Sequence, residues 1–344
     1  MCHHICPVGN ATGHERSTPR ARALGISLVN RGAIGLEEIM DNIYECAGCG
    51  ACVRDCVTGW DPVMFTKEVR LQAALENKLP AYINALLDNC LDVGNAYGKT
   101  EICSCLKEAI ARHSEKTDIL LFLGQDAKYM ACTQALGAIK VLESAGVKFT
   151  VLENEPASGA QLDFLVGAAE ETKAQMTACR DTLSGFKTVV IYDPQDAKTV
   201  KQTYPAYGVE LECEAVTYTS FLASLVKSGA LAAKKSGKVV AFQDPFQLAR
   251  DLEETEEARI VVSAFADIKE MHLIKAETVW AGNILMAQYI PETIKLVAER
   301  RLANVKSSGN TVLVTASVSE YAALKSVEQN EIEILSLEEL ILGE

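Results

Sequence analysis

The sequence lacks the features that mark several common classes of protein. Its formal net charge of −13 and the absence of a basic stripe argue against nucleic-acid binding. No apolar run is as long as a membrane-spanning helix, so no membrane span is predicted, and we expect no signal peptide before Cys2. There is also no Walker loop, no G-x-G-x-x-G motif and no evident nucleophile triad, so these signatures assign no enzyme class.

Aromatic residues are scarce as well, at 6% of the chain, but hydrophobic residues reach 49%, so a large core can still be buried. The 344 residues allow two or three domains. Twelve cysteines are present, yet a chain of this size does not need disulfides for stability. The sequence therefore predicts a protein of the reducing cytoplasm.

Four of the cysteines form one closely spaced run. Cys46, Cys49, Cys52 and Cys56 follow the pattern C-x2-C-x2-C-x3-C, which is the spacing of a bacterial [4Fe–4S] ligand loop. Two-residue gaps let three thiolates converge on one cluster, and the glycines and alanines in the gaps let backbone amides approach the sulfurs. The fourth cysteine usually serves a second cluster. A zinc site and reduced cysteines without a metal are the alternatives.

A partial copy of this run lies at the N-terminus. Cys2, Cys6 and Pro7 match the last two cysteines of the pattern and the proline that follows them. In crossed ligation, Cys6 completes the cluster held by the first three cysteines of the run. A second cluster would use Cys2 and Cys56 but lacks its first two cysteines, which we expect upstream of Met1 unless the second site has decayed. One [4Fe–4S] cluster is thus predicted, and a second stays open.

Three further groups of side chains lie close to these motifs in sequence. An arginine group either offsets the negative charge of a cluster or forms an exposed basic face. A histidine pair is expected to lie near a cluster without ligating it. A Cys-x-Cys pair is a less favoured source of ligands for the incomplete cluster. The arginine group is Arg16, Arg20 and Arg22, the histidine pair is His3 and His4, and the Cys-x-Cys pair is Cys103 and Cys105.

The pattern of apolar residues divides the chain into three parts. Residues 1–116 show helical apolar spacing, with the cysteine loops between helices. Residues 117–236 and 237–344 alternate short apolar runs with amphipathic helices, which predicts two α/β lobes with mainly parallel sheets. The similarity of 188–202 to 311–326 indicates an internal duplication. The predicted strands are 119–124, 147–153, 188–192, 209–216, 238–245, IVVSAF at 260–265, 311–316 and 331–336.

Together these motifs resemble the iron–sulfur subunits of the heterodisulfide reductase and glycolate oxidase families. The segments that carry the resemblance are Cys2–Cys6–Pro7, GHERSTPRARAL (13–24), the cluster run at 46–56, GNAYG (94–98) and ILLFLG (119–124) with the lobes after it. The resemblance implies an α-helical ferredoxin-like domain followed by two pseudo-symmetric "CCG" lobes. Active members carry a Cys-Cys-Gly turn and a later C-x2-C in each lobe. In heterodisulfide reductases these cysteines hold iron–sulfur clusters at the disulfide-reducing site.

This chain departs from the family pattern at each of those lobe positions. Thiolates bind iron–sulfur clusters well, and the residues found here do not replace them. The turn glycines persist, which is expected if the backbone there needs a positive φ. The corresponding residues are Ala157-Ser158-Gly159 with Asp193 and Asp196 in the first lobe, and Trp280-Ala281-Gly282 with Ser317 and Glu320 in the second; His-Asp-Pro-Cys-His becomes Gln243-Asp244-Pro245-Phe246-Gln247.

Because the lobe cysteines are missing, the resemblance implies an electron-transfer subunit of a hetero-oligomeric oxidoreductase. Its partner would be a flavin-dependent 2-hydroxyacid dehydrogenase or a redox subunit with intact CCG motifs, and the chain itself would carry out no bond chemistry. A structural subunit that docks a catalytic paralogue is the alternative. A third hypothesis, a reductase in its own right, conflicts with the missing lobe cysteines. Asp193, Asp196 and Glu320 are either solvated loop residues or ligands of a hard cation.

Overall fold

The computed structural model describes residues 2–328 and 331–343. Helices make up the first third of the chain, and parallel strands alternate with helices in the remainder. The predicted α/β class, with helices at the N-terminus, is therefore confirmed in outline.

Short helices joined by loops form the N-terminal region. Thr18 and Asp61 cap two of the longer helices, because their side chains accept hydrogen bonds from first-turn amides and a proline follows each of them. Two 3-10 turns, Glu15–Ser17 and Leu36–Ile39, connect other helices. The helices are α1 (Cys2–Ile5), α2 (Pro7–Thr12), α3 (Pro19–Asn30), α4 (Met40–Tyr44), α5 (Ala51–Arg54), α6 (Pro62–Leu75), α7 (Ala81–Val93) and α8 (Ser104–Arg112).

The first sheet has three parallel strands in the order β1-β2-β3. These are β1 (Ile119–Phe122), β2 (Thr188–Ile191) and β3 (Glu214–Thr217). The helices between and after them are α9 (Gln125–Met130), α10 (Cys132–Ser144), α11 (Ala160–Val166), α12 (Glu170–Leu183), α13 (Pro194–Lys198), α14 (Tyr204–Ala206) and α15 (Tyr218–Ser228), with a π-helical segment at Thr199–Thr203. The strand predicted at 147–153 is reduced to a single bridge between Leu120 and Thr150. Only Thr150 exchanges backbone hydrogen bonds with β1 there, which is too little for a ladder.

The second sheet has four parallel strands in the order β5-β4-β6-β7. These are β4 (Val239–Gln243), β5 (Asp267–Ile268), β6 (Val312–Thr315) and β7 (Glu333–Ser336). The accompanying helices are α16 (Glu257–Phe265), α17 (Ile284–Ala287), α18 (Pro291–Ser307), α19 (Val318–Lys325) and α20 (Leu337–Leu342), with a π-helical segment at Gln247–Asp251 and a 3-10 turn at Lys275–Glu277.

The prediction of a strand at IVVSAF (260–265) is wrong, because this run belongs to α16. Its buried side chains Val261, Val262 and Phe265 have the i, i+1, i+4 spacing of one helix face, and that face packs on α15. A short apolar run does not by itself distinguish a buried strand from a buried helix.

The two sheets share an order of strands. In the first, β1 lies between β2 and the segment around Thr150; in the second, β4 lies between β6 and β5. This correspondence favours the duplicated-lobe hypothesis, which stays a prediction. The predicted boundaries at 116/117 and 236/237 fall just before β1 and β4.

The helical region and the α/β region share a core. The Tyr44 hydroxyl donates to the Leu165 carbonyl at 2.7 Å, and the Tyr289 hydroxyl donates to the Tyr44 carbonyl at 2.9 Å. Leu162 and Leu285, from the α/β region, pack in one apolar cluster with Ile43 of α4. These contacts hold the end of α4, which precedes the cysteine loop, against helices of the α/β region.

Candidate metal centre

Four cysteines surround one cavity of about 320 Å³. They are Cys6, Cys46, Cys49 and Cys52, and each is between 6% and 8% exposed, so bulk water has little access to the thiols. Three come from the cysteine run and one from the N-terminus, which is the set predicted for the fully supplied cluster. In the described part of the chain, no three His, Cys, Asp or Glu side chains are placed to hold a single metal ion. The four thiols therefore line a space and do not meet at one ion-sized point.

Local backbone geometry explains how the loop brings its cysteines together. Gly48 and Gly50 have φ values of +66° and +71°, a conformation that other residues adopt only with strain. These two left-handed residues flank Cys49 and turn the chain into α5, which carries Cys52. Cys6 is held in an extended conformation, φ −71° and ψ 116°, as expected for a residue that precedes a proline.

Burial and guanidinium charge oppose one another at these thiols. Burial raises the pKa of Cys6 and Cys52, and it raises the pKa of Cys49 to about 11. Burial also disfavours the Cys46 thiolate, but the charges of Arg22 and Arg70 outweigh it, so the pKa of Cys46 is lowered. Most of these thiols therefore stay protonated without a metal, and metal binding must release protons.

Two arginines from distant parts of the chain hold the cysteine loop. The Arg70 guanidinium, on α6, donates to the carbonyls of Cys46 at 2.7 Å, Ile43 at 3.1 Å and Phe164 at 2.7 Å. Arg250 Nε donates to the Cys49 carbonyl at 2.9 Å across 201 residues of sequence. Neither arginine was predicted from the sequence, since no local spacing marks them.

The cavity suits a thiolate-bound cluster. Arg250 Nη2 is buried without a hydrogen-bond partner, although its guanidinium lies against the Cys49 backbone, where its charge partly offsets the effect of burial on the pKa of that thiol. Buried N–H donors are normally paired. Negatively charged sulfur in the cavity would supply an acceptor for this donor, and the charges of Arg22 and Arg70 would offset the remaining negative charge.

The three predicted arginines have different environments. Arg22 is 3% exposed and donates to the Ser17 carbonyl at 3.2 Å, beside the thiol cavity. Arg20 is exposed, and Arg16 is exposed with an ion pair of 3.0 Å to Glu45. Of the two predicted roles, Arg22 fits that of offsetting negative charge at the cavity, whereas Arg16 and Arg20 fit that of an exposed basic face. His3 and His4 are exposed and pair with surface carboxylates.

Of the residues considered for a second cluster, those whose side chains the structure describes lie outside the thiol cavity. Cys56 lies outside the thiol cavity, is half-buried and contacts Thr58 Oγ1 through its Sγ at 3.2 Å. The side chain of Cys2 lies outside the described residues. Cys103 and Cys105 sit at the start of α8, with their Sγ atoms 3.2 Å apart, and they also lie outside the cavity. The second cluster stays a prediction.

The first-lobe positions that are predicted to have lost cysteines line a second, larger cavity, whose empty space is about 680 Å³ including its opening to solvent. Ala157 and Ser158 lie on the turn before α11, while Asp193 and Asp196 follow β2. Ser158 Oγ donates a hydrogen bond to Asp196 Oδ1. Gly159 has φ +85°, so the turn keeps the backbone conformation that the sequence predicted.

Trp280, Ala281 and Glu320 of the corresponding second-lobe positions are buried away from this cavity, whereas Ser317 lines it. Trp280 is 1% exposed and is among the largest fully buried side chains. Glu320 accepts hydrogen bonds from the Ala281 amide at 3.1 Å and from Gln243 Nε2, and Gln243 Oε1 accepts from Arg301 Nε at 2.6 Å. Glu320 therefore belongs to a different network from Asp193 and Asp196, and the structure does not bring these three residues into one cation site.

Replacing Trp280 with alanine should lower the free energy of unfolding by about 3 kcal/mol or more, because a large buried side chain would leave a cavity. Urea denaturation followed by circular dichroism measures the loss. Trp60 is the matched control, since it is the other of the two tryptophans and is 41% exposed. Equal losses in the two variants would contradict tight packing of Trp280.

Comparison with known proteins bears directly on the cysteine sites. Residues 1–60 match the family of 4Fe-4S dicluster domains. One subunit of the dihydromethanophenazine:CoB–CoM heterodisulfide reductase from Methanosarcina acetivorans is 26% identical over 300 residues, which cover 82% of this chain and 72% of that protein. The predicted resemblance to heterodisulfide reductase iron–sulfur subunits is confirmed. Binding of 4Fe-4S clusters, predicted from the cysteine spacing, is supported by the same matches.

Other matches extend this resemblance. The equivalent subunit from Methanosarcina mazei is 26% identical over 297 residues, covering 81% of this chain and 71% of that protein. A probable membrane-anchored ferredoxin from Chromohalobacter salexigens is 28% identical over 273 residues, covering 75% of this chain, and the aligned part spans only 39% of the ferredoxin. A hypothetical protein from Helicobacter pylori superposes with a TM-score of 0.43 at 12% identity, covering 92% of this chain and 65% of that one, which is too low to establish a shared fold.

No helix in the described residues combines the length and the apolar character needed to cross a bilayer.

Proposed function

We propose that the chain is the electron-transfer subunit of a multi-subunit oxidoreductase, with Cys6, Cys46, Cys49 and Cys52 as the ligands of one [4Fe–4S] cluster. The observation that carries the proposal is the convergence of these four buried thiols on one cavity beside three arginines. A cluster held there would supply one-electron transfer. The resemblance to the Methanosarcina heterodisulfide reductases supports a partner redox subunit, and the second candidate partner is a flavin-dependent 2-hydroxyacid dehydrogenase.

The outer wall of the thiol cavity supports a relay role over a purely structural one. Gly48 and Gly50, which separate three of the cysteines, also line an open groove of about 1100 Å³. Neither residue has a side chain to shield the loop, so a redox group in the groove could approach the cluster position closely. A purely structural site has no need of such access.

The thiols support a reducing, cytoplasmic location for the proposed complex. All cysteines whose side chains are described are free, including the close pair Cys103 and Cys105. Disulfides form and persist in oxidising compartments and are rare in the cytosol. Free thiols at this pair therefore fit a chain that works as part of a complex inside the cell.

Anaerobic purification followed by iron and sulfide analysis and a redox titration monitored by EPR tests the proposal. We expect about four irons per occupied site and a reversible one-electron signal within the range of about −700 to +450 mV that iron–sulfur clusters cover. A cluster that stays redox-silent across that range would instead support the alternative of a docking subunit with a structural cluster. Absence of iron from anaerobic protein would overturn both.

Blocking the groove separates the two roles further. Ala206 is an exposed residue that lines the groove, so replacing it with tryptophan should slow oxidation of the reduced protein by ferricyanide several-fold, measured by stopped flow. Ala111→Trp, on the exposed face of α8, is the control. Equal rates in both variants, at equal iron content, would contradict electron access through the groove.

A further inference from the structure

The cavity of about 680 Å³ lies where strands of both sheets end. Asp126 and Asp193 follow β1 and β2, whereas Phe246 and Ser317 follow β4 and β6. The carboxyl ends of parallel strands are a common position for ligand sites in α/β proteins. Ala47, from the cysteine loop, closes one side of the cavity.

Carboxyl groups line this cavity without any basic side chain. Asp126, Asp193 and Asp196 are among the lining residues, and no lysine, arginine or histidine is. Burial, together with the charge of Asp126, raises the pKa of Asp193 to about 7, and burial with the charge of Asp193 raises the pKa of Asp196 well above its usual range. No cationic side chain among the lining residues offsets these increases, so a bound cation would favour the ionised carboxylates.

Unpaired polar atoms give independent evidence for an occupant. Asp193 is 3% exposed and Gln125 is 7% exposed, and both line the cavity. Asp193 Oδ2 and Gln125 Nε2 are buried without hydrogen-bond partners, as is Gln247 Oε1 on the same cavity. Such groups are rare in native proteins because each carries an uncompensated desolvation cost. Two acceptors and one donor are thus available to a ligand.

The corresponding positions of the second lobe, which also lack cysteines, have no buried side-chain atoms without hydrogen-bond partners. There Trp280 fills the space and Glu320 is hydrogen-bonded to Ala281 and Gln243. Ser317 of the second-lobe set also lines the cavity, but of these two sets only the first contributes an unpaired polar atom, Asp193 Oδ2.

The polar atoms that lack hydrogen-bond partners indicate which kind of ligand the cavity could bind. Asp126 already accepts hydrogen bonds from Tyr97 at 2.6 Å, from Gln161 at 2.9 Å and from Ser319. A divalent metal ion needs several free oxygens, whereas an ammonium group is satisfied by one carboxylate and neighbouring amide oxygens. The Phe246 ring adds an apolar wall that tolerates a cation.

We propose that this cavity binds a small organic cation, a primary ammonium compound that also carries a hydrogen-bond acceptor. The ammonium group donates to Asp193 Oδ2 and Gln247 Oε1, and the acceptor receives the Gln125 Nε2 hydrogen. Anionic molecules are disfavoured by the three aspartates. This site is separate from the thiol cavity, and the proposal goes beyond electron transfer.

Calorimetric titration of the full-length, anaerobically purified protein tests the site with ethanolamine and 2-methoxyethylamine as cationic probes, since each carries one ammonium group and one oxygen acceptor. Ethylene glycol and glycolate serve as the neutral and anionic counterparts of ethanolamine. We expect at least one cation to bind at least about tenfold more tightly than either counterpart, because charge-assisted hydrogen bonds are roughly twice as strong as neutral ones. Tighter binding of glycolate, or no binding of either cation, would overturn the proposal.

Asp193→Asn tests the assigned carboxylate. Asparagine can still cap α13 as Asp193 does through Oδ1, and it removes repulsion with Asp196, so the variant should fold. Affinity for the cation should fall at least about tenfold. Asp181→Asn, an exposed carboxylate on α12, should leave affinity unchanged. Unchanged affinity in a folded Asp193→Asn protein would assign the binding to another place.

Discussion

Replacing Cys49 with serine is expected to remove the iron bound by the thiol cavity, about four irons per chain, and the absorbance near ~400 nm that thiolate-bound clusters show. The reason is that Cys49 is one of four converging thiols, and serine is a poor ligand for iron–sulfur clusters. Iron and sulfide analysis of anaerobically purified protein measures the effect.

Cys90→Ala is the matched control for this substitution. Cys90 is also a buried thiol of the helical region, but it does not line the thiol cavity. Its loss should leave iron content unchanged. If Cys49→Ser retained its iron while Cys90→Ala lost it, the assignment of the ligands would be wrong.

Replacing Arg70 with methionine should lower the free energy of unfolding by about 2 to 6 kcal/mol. Methionine keeps much of the volume but leaves the carbonyls of Cys46 and Phe164 without this donor, at about 1–3 kcal/mol for each unsatisfied group, whereas the Ile43 carbonyl still accepts from the Cys46 amide. The guanidinium also lies over the rings of Tyr44 and Phe164, and these contacts would be lost too. Urea denaturation, followed by circular dichroism, measures the change.

Arg20→Met provides the comparison for Arg70, since Arg20 is an exposed arginine on a neighbouring helix. Its replacement should change stability by no more than about 0.5 kcal/mol, as is usual for surface sites. A loss at Arg70 no larger than this would show that the cysteine loop does not depend on the buried guanidinium.

Local spacing predicted which cysteines the structure brings to one cavity, while their role as cluster ligands stays a prediction. Cys46, Cys49 and Cys52 lie on one short loop, so their convergence follows from chain geometry, and Cys6 followed from the crossed pattern of two-cluster proteins. Arg250 could not be predicted in this way. It reaches Cys49 across 201 residues, and only the packing of the second sheet on the helical region brings the two together.

The second cavity could also be predicted only in part, because some of its residues come from distant parts of the chain. The sequence identified Asp193 and Asp196 as replacements of former thiolates, but it did not predict that Gln125 and Gln247 would converge on them with unpaired atoms. It also grouped Glu320 with these aspartates, whereas that carboxylate is hydrogen-bonded within the second lobe. Identity at a former ligand position does not reveal whether the surrounding space stays open or is filled.

Ala47 lines both the thiol cavity and the cavity of the first lobe. Two sites that share a wall residue can be coupled energetically, and any such coupling is reciprocal. An occupant that binds the reduced protein ten times more tightly than the oxidised protein would raise the one-electron reduction potential by about 59 mV. Reduction would in turn tighten retention of that occupant tenfold. With such coupling through Ala47, the concentration of the small molecule would influence the redox state of the cluster, and the redox state would influence binding of the small molecule.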